Sequence, residues 1–419
     1  MSVLQSLHSN LTAMRTKSRL EKIQSVADAE DLARRRLPAS VFQMFQAGSG
    51  SNITAIRNEE IFKEVHFRPR NGVFKPEPDI ATTVLGHRIE MPVILSSVGF
   101  LGVGHSDGEA GVARAAGKAG TIQFVSGVTN APIETIMDNA TGPVFYQLYY
   151  VGGRDASAPI IERVKRAGVH GLVLTVDTPT IARPKDAPWT TRRNVPMDTS
   201  PPELIKFVPQ VATKVGWALD IAGSSGVKMP DIAMALDAAG SPMGFWEGIG
   251  QIYQKTPTWD DIPWVREHWD GPLVIKGVLT ADDAERAVRA GADAIVVSNH
   301  GGNVLDGSVP TLQVLPEIVE RVGDRVEVLF DSGVRRGTDV LKALALGARA
   351  VLLGRGYVYP LLAAGEAGVN HILELFERQI SEGMTFLGAD SIHELDPSFL
   401  SIPASWDRWS GQDQVSSVG

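Results

Sequence analysis

From residue 91 onward, short apolar runs alternate with turns of Gly, Ser, Asp or Asn and then with stretches of helical period. Eight runs stand out: 92–97 (PVILSS), 121–126 (TIQFVS), 143–148 (PVFYQL), 171–176 (GLVLTV), 272–276 (PLVIK), 293–298 (DAIVVS), 326–331 (VEVLFD) and 348–353 (ARAVLL). Strands this apolar, without polar alternation, belong in a parallel sheet covered on both faces, and their alternation with helices calls for right-handed βαβ crossovers. Eight units predict an α/β fold closed into a (β/α)8 TIM barrel; an open doubly wound sheet is the alternative. The helices carry their own signals. In 280–291 (TADDAERAVRAG) Thr280 can cap the N-terminus and Gly291 can end the helix, and 337–347 reads the same way.

Residues 1–90 precede the first run and read as a mostly helical N-terminal extension, with an extended, Pro-containing segment at 67–78. The barrel then occupies 91–400, and 401–419 form a C-terminal tail. The stretch 187–261 is too long for a βα loop, so it is expected to be an insertion on the catalytic face, a lid. A length of 419 residues suits one large barrel with such additions.

Composition narrows the class. With 21% charged and 43% hydrophobic residues, neither disorder nor a membrane protein is indicated, and no run reaches the ~18 apolar residues of a spanning helix. A net charge of -8 argues against nucleic acid or an anionic membrane as partner. The chain has no cysteine, hence no disulfide or thiolate metal site, and its first ten residues lack the apolar core of a signal peptide. A cytoplasmic location is expected.

In such barrels the chemistry sits at the C-terminal ends of the strands. The runs end in polar groups: Ser126 after the second, Gln147 and Tyr149 at the third, Thr175 and Asp177 at the fourth, Lys276 at the fifth, and Ser298-Asn299-His300-Gly301-Gly302 at the sixth. Acid, base, cation and hydroxyl groups converging there fit a catalytic cavity, whereas a structural barrel needs only turn residues. An imidazole at His300 beside a carboxylate at Asp177 would keep one tautomer and be stabilised once protonated, as a general base requires. No second His or carboxylate lies at ligand spacing, so no metal is expected. After the seventh and eighth runs come Asp331-Ser332-Gly333-Val334-Arg335-Arg336-Gly337 and Gly354-Arg355-Gly356, whose glycines and arginines suit a phosphate. Arginines at a helix N-terminus oppose its dipole unless an anion sits there. Lys276 admits two uses, a Schiff-base lysine or a cation facing an electron-rich flavin.

These motifs, SNHGG followed by DSGVRRGTDVLKALALGA, resemble the FMN-dependent 2-hydroxy-acid oxidase and dehydrogenase family, which includes glycolate oxidase and lactate monooxygenase, over roughly residues 30 to 400. The resemblance implies FMN as cofactor. It places Ser97, Val98, Gly99, Ser126, Gln147, Thr175, Lys276 and Ser298 around the isoalloxazine and ribityl groups, and Asp331, Gly333, Arg335, Gly354 and Arg355 at the ribityl and phosphate end. It makes His300 the base, Asp177 its partner and Tyr149 a substrate neighbour. It also implies a homo-oligomer, a tetramer.

Departures from the pattern bear on the substrate. Where the family has an arginine three residues after the His, this chain has Asn303; a second arginine aligns with Pro184, with Arg183 just before it; a family tyrosine becomes Phe42. The two arginines clamp a carboxylate through charge-assisted hydrogen bonds of roughly 1.5–3 kcal/mol each. Either Arg183, Lys185, Arg192 or Arg193 takes over, or the substrate is not a simple hydroxy acid. The pattern SNHGGNxLDG with the ending Ile402-Pro403-Ala404 resembles the premycofactocin synthase branch, which acts on a cyclic amide bearing an amine; the segment TVDTPTIARPKD follows that branch less closely.

The reading that results is an FMN-dependent oxidoreductase that removes two electrons from a carbon bearing OH or NH2 beside a carbonyl of a small molecule. Oxygen, a quinone or a protein could reoxidise the flavin. Two rivals are a Schiff-base aldolase using Lys276 and a flavin-binding barrel that serves as a partner protein without turnover.

Overall fold

In a computed structural model of the chain, residues 14, 16–150, 152–179, 208–222, 230, 234 and 256–406 are described. Eight parallel strands close a barrel: β1 (Val93–Leu95), β2 (Gln123–Ser126), β3 (Val144–Leu148), β4 (Gly171–Thr175), β5 (Leu273–Val278), β6 (Ala294–Val297), β7 (Glu327–Phe330) and β8 (Ala350–Leu353). Each falls on one of the eight apolar runs, and β8 pairs with β1, which rules out the open sheet. The intervening helices follow their sequence signals. Thr280 accepts a hydrogen bond from Asp283 N–H at the start of helix Ala281–Arg289, and Gly291 leaves it at φ 96°.

Two apolar cores result from the alternation of side chains across each strand. The smaller fills the barrel with Ile94, Phe124, Phe145, Val173, Val274, Val296, Leu329 and Leu352; the larger lies between the strands and the surrounding helices. A hairpin of Thr82–Val84 and His87–Ile89 closes the N-terminal end by adding Val84 and Ile89 to the inner core. Glu327 at the start of β7 accepts from Leu85 N–H in its turn, at 3.1 Å to each carboxylate oxygen. A cavity of about 430 Å3 opens beside this hairpin, lined by Thr82, Glu327, Arg349 and His393 among others, with none of the expected site residues.

The N-terminal extension forms helices Val26–Arg36, Ala39–Gln46 and Ile53–Glu60. The tail begins as a strand, Leu400–Ser401, paired with His66–Phe67. Of the insertion, helix Val215–Ala222 docks on the loop after β1, where buried Trp217 donates from Nε1 to Val103 O at 2.9 Å and Asp220 pairs with Arg36. Among the described residues no helix is long and apolar enough to cross a membrane.

Candidate active site

Because all eight strands run the same way, their C-terminal ends share one face of the barrel. Thr175 is in register with Lys276, and Gln147 with Val173, so β3, β4 and β5 deliver their polar ends to one level. His300 opens a short 3-10 turn, His300–Gly302, directly after β6. Its Nδ1 lies 3.0 and 3.2 Å from the two carboxylate oxygens of Asp177, contributed from beyond β4. Gly277 makes that approach feasible: it sits at φ 107°, and a Cβ there would fall 2.5 Å from Asp177 Cβ. Burial pushes the Asp177 carboxyl up, but the charge and hydrogen bond of His300, with the charge of Lys276, outweigh it and hold it below the usual carboxylate range. A carboxylate fixed in this way holds Nδ1–H and leaves Nε2 free to take a proton.

Lys276 is 2% exposed, with Nζ 3.0 Å from Asp331 Oδ2 and donating to Ser298 Oγ at 2.8 Å. Burial works against its ammonium, yet Asp331 and Asp177 outweigh burial and raise its pKa above the ordinary lysine value. A lysine kept charged is not the neutral amine that a Schiff base requires, so this geometry opposes the aldolase alternative. Tyr149, half-buried after β3, also favours the charged lysine.

The turn carrying His300 is held from outside the barrel. Asn58, from the N-terminal extension, and Asn299 form a reciprocal pair of amide hydrogen bonds at 2.8 Å, both buried. Asn299 Oδ1 also accepts from Gly302 N–H at 3.1 Å. Arg355 turns its guanidinium onto three carbonyls, Phe45 O at 3.1 Å, Ala47 O at 3.0 Å and Gly301 O at 2.8 Å. Nothing in the sequence around Asn58 marks it as a site residue, because its partner lies 241 positions away.

The family profile described as FMN-dependent dehydrogenase matches residues 33–402. The chain belongs to that family. It is 40% identical to a pre-mycofactocin synthase of Mycolicibacterium smegmatis, over 93% of this chain and 96% of that one. It is 37% identical to an L-lactate dehydrogenase of Vibrio cholerae, over 90% of this chain and 99% of the relative. Its fold is similar to that of a monotopic membrane protein, (S)-mandelate dehydrogenase, at a TM-score of 0.80 and 30% identity, over 90% of this chain and 99% of that one. A mandelate oxidase bearing an arginine-to-leucine substitution, solved with 2-hydroxy-phenylacetamide, is 32% identical at a TM-score of 0.68, covering 88% and 95%.

This member of the FMN-dependent dehydrogenase family is an oxidoreductase that uses FMN, and the mouth of the barrel fits that cofactor. Ser97 Oγ and Gln147 Oε1 are buried without a hydrogen-bond partner, although Gln147 Nε2 donates to Thr175 Oγ1. Buried polar atoms left this way call for a ligand that carries both donors and acceptors, as an isoalloxazine ring does. No atom lies within 4 Å of where a Cβ on Gly354 would stand, and Gly354 begins helix Arg355–Ala364, whose first N–H groups lack helical acceptors. Ser126, Thr175 and Ser298 are buried at the same mouth, with Val98 and Gly99 half-buried on the loop after β1.

Other expected residues take different places. The Arg335 guanidinium pairs with Glu59 at 2.7 Å, and the backbone N–H groups of Arg335 and Arg336 donate to Asp339 Oδ2 at the start of helix Gly337–Ala345. Gly333 is required by packing, since a Cβ would fall 1.9 Å from Asn58 O. The structure does not bring Phe42 to the mouth: its ring is 2% exposed, stacked on Tyr359 at 5.9 Å, with Arg34 over it at 4.6 Å. Asn303 is half-buried and ends the His300 turn. Arg183, Pro184, Lys185, Arg192 and Arg193 lie outside the described residues.

Proposed function

We propose that the chain oxidises a carbon bearing OH or NH2 next to a neutral amide carbonyl, in preference to a 2-hydroxy acid. The observation that carries this is Asn303, whose N–H donates to His300 O at 3.2 Å, one turn from the imidazole, where the family resemblance calls for an arginine. An asparagine offers a neutral donor and acceptor, which match an amide and leave a carboxylate's desolvation uncompensated. The 40% identity to a pre-mycofactocin synthase supports the reading. So does the mandelate oxidase that lost an arginine and was solved with a neutral hydroxy-amide.

Bound FMN supplies the two-electron acceptor. His300 Nε2 takes the proton of the substrate O–H or N–H, while Asp177 holds Nδ1–H and balances the imidazolium. Lys276, kept charged by Asp331 and Asp177, places a fixed cation at the level of β5. Ser97, Gln147 and Thr175 would hold the ring system, and the helix start at Gly354 and Arg355 the phosphate. The substrate carbon loses its hydrogen and two electrons, leaving C=O or C=N.

The test is anaerobic flavin reduction by L-lactate, L-lactamide, (S)-mandelate, 2-hydroxy-phenylacetamide and a cyclic amino-amide. Amides should reduce the flavin at least about tenfold faster than the matching acids, and Asn303→Arg should shift the preference toward acids. Faster reduction by the acids in the wild type would sink the amide reading. The 37% identity to an L-lactate dehydrogenase favours a second reading, in which Arg183 clamps a carboxylate; Arg183→Ala would then abolish a preference for acids. A homotetramer and a cytoplasmic location belong to either reading, the first tested by sedimentation and the second by cell fractionation.

A further inference from the structure

Ser332 stands in the turn after β7 at φ 86°, in the left-handed region where an L side chain is strained and glycine is not. The next residue, Gly333, has the same φ. Position 332 nevertheless keeps a side chain, 8% exposed, whose hydroxyl is used twice. It accepts from Gly301 N–H at 3.0 Å and donates to Asp331 Oδ1 at 2.7 Å. Asp331 Oδ2 meets Lys276 Nζ, Lys276 donates to Ser298 Oγ, and Ser298 Oγ accepts from His300 N–H at 3.1 Å. These contacts close a ring around the base. The N–H groups of His300 and of Gly301 each end on a serine hydroxyl.

The turn they hold is itself strained at His300, with φ of 58°, and continues left-handed through Gly301 at 65° and Gly302 at 74°. Such a conformation persists only where its surroundings over-determine it. Arg355 holds Gly301 from the carbonyl side and Ser332 from the amide of the preceding peptide.

We propose that Ser332 is a positioning residue for the base: its hydroxyl fixes the peptide between His300 and Gly301 and so keeps the imidazole aimed at Asp177. The proposal rests on the reading of His300 as the base. Its strained backbone is retained because glycine, though easier at this φ, would leave Gly301 N–H without an acceptor.

Two substitutions separate positioning from bulk stability in the FMN-loaded protein. S332G removes the hydroxyl and the strain together, so its melting temperature should stay within roughly 3 °C of wild type. Segment 298–303 should nevertheless exchange its amide hydrogens at least about tenfold faster. The limiting rate of anaerobic flavin reduction by L-lactate or 2-hydroxy-phenylacetamide should fall by at least about tenfold, with the half-saturating concentration little changed. S332T keeps the hydroxyl and should recover both protection and rate over S332G, while melting lower because a β-branched residue is strained at this φ. The order of stability and the order of rate are therefore opposite. Wild-type exchange of 298–303 in S332G overturns the proposal whatever the substrate, and so does faster exchange with an unchanged reduction rate. If His300→Ala keeps reducing the flavin, the base assignment itself fails; if His300→Ala is inactive and S332G behaves as wild type, only the role of Ser332 is lost.

Discussion

At the N-terminal end of the barrel the hairpin of Thr82–Val84 and His87–Ile89 presses Val84 and Ile89 onto an inner core of Phe124, Phe145 and their neighbours. At the C-terminal end of the barrel, Gln147, Thr175, Lys276 and Ser298 are buried almost as deeply as those side chains, with Asp331 6% exposed beside them. Both ends exclude water. One does so with groups that need nothing further, the other with groups that each need a partner. A buried apolar side chain contributes in rough proportion to its area, while a buried polar one contributes only within a satisfied network. Substitutions at the closed end should therefore change stability and leave chemistry alone, while those at the mouth should act on chemistry, and on stability where they alter a buried charge or leave a buried polar group unpaired.

The largest effect is expected at the mouth. His300→Ala should keep FMN and a wild-type melting curve yet lose roughly 10³–10⁴-fold in the rate of flavin reduction. Stopped-flow absorbance with the best substrate of the panel measures it, and a loss below tenfold would refute the assignment. Phe145→Ala, at the other end, breaks a stack with Phe124 at a centroid distance of 5.3 Å. It should cost about 4 kcal/mol of stability in denaturant titration. The reduction rate per folded molecule should stay at the wild-type value, and a large fall would show that the two ends are coupled.

Glu109 sharpens the contrast, because its buried carboxyl accepts from Leu101 N–H and Asn130 N–H on two loops of the mouth. Burial pushes its pKa up from 4.5 to about 7 against the pull of those donors. With the folded pKa above the unfolded one, its stabilising contribution is complete below pH 4.5 and is lost as pH rises through about 7. The stability difference between wild type and Glu109→Gln should change by about 3 kcal/mol across that window. A difference that stays flat with pH would show that Glu109 ionises as freely in the folded protein as in the unfolded chain. The smallest effect is expected for Asn58→Ala, which leaves the Asn299 amide short of two partners and should cost about 1–2 kcal/mol. Chemical denaturation checks the cost, and faster amide exchange in 298–303 checks that the turn has loosened.

The apolar runs were enough to locate all eight strands, because a fully covered parallel strand has no other pattern to show. Polar residues ending those runs pointed to His300, Asp177 and Lys276 for the same reason: at a strand end, position along the chain is position in space. The parts that stayed hidden are set by packing between distant segments. Asn58 and Asn299 are 241 positions apart, and nothing local to either marks them as a pair. Arg335 reads as an anion binder, and nothing local to it shows that Glu59, 276 positions away, also reaches its guanidinium. Phe42 looked like a mouth residue by alignment, but the ring of Tyr359 meets it in the core.

The guanidinium of Arg355 touches Phe45 O and Ala47 O across 310 and 308 residues of chain, and Gly301 O across 54. Contacts of such high order form late, because the long loop between the partners must close before they contribute. During synthesis the segment around residue 45 therefore waits until residue 355 has emerged before it can be fixed. A chain stopped just short of that arginine would hold all eight strands and still lack the guanidinium that ties the histidine turn to the N-terminal extension.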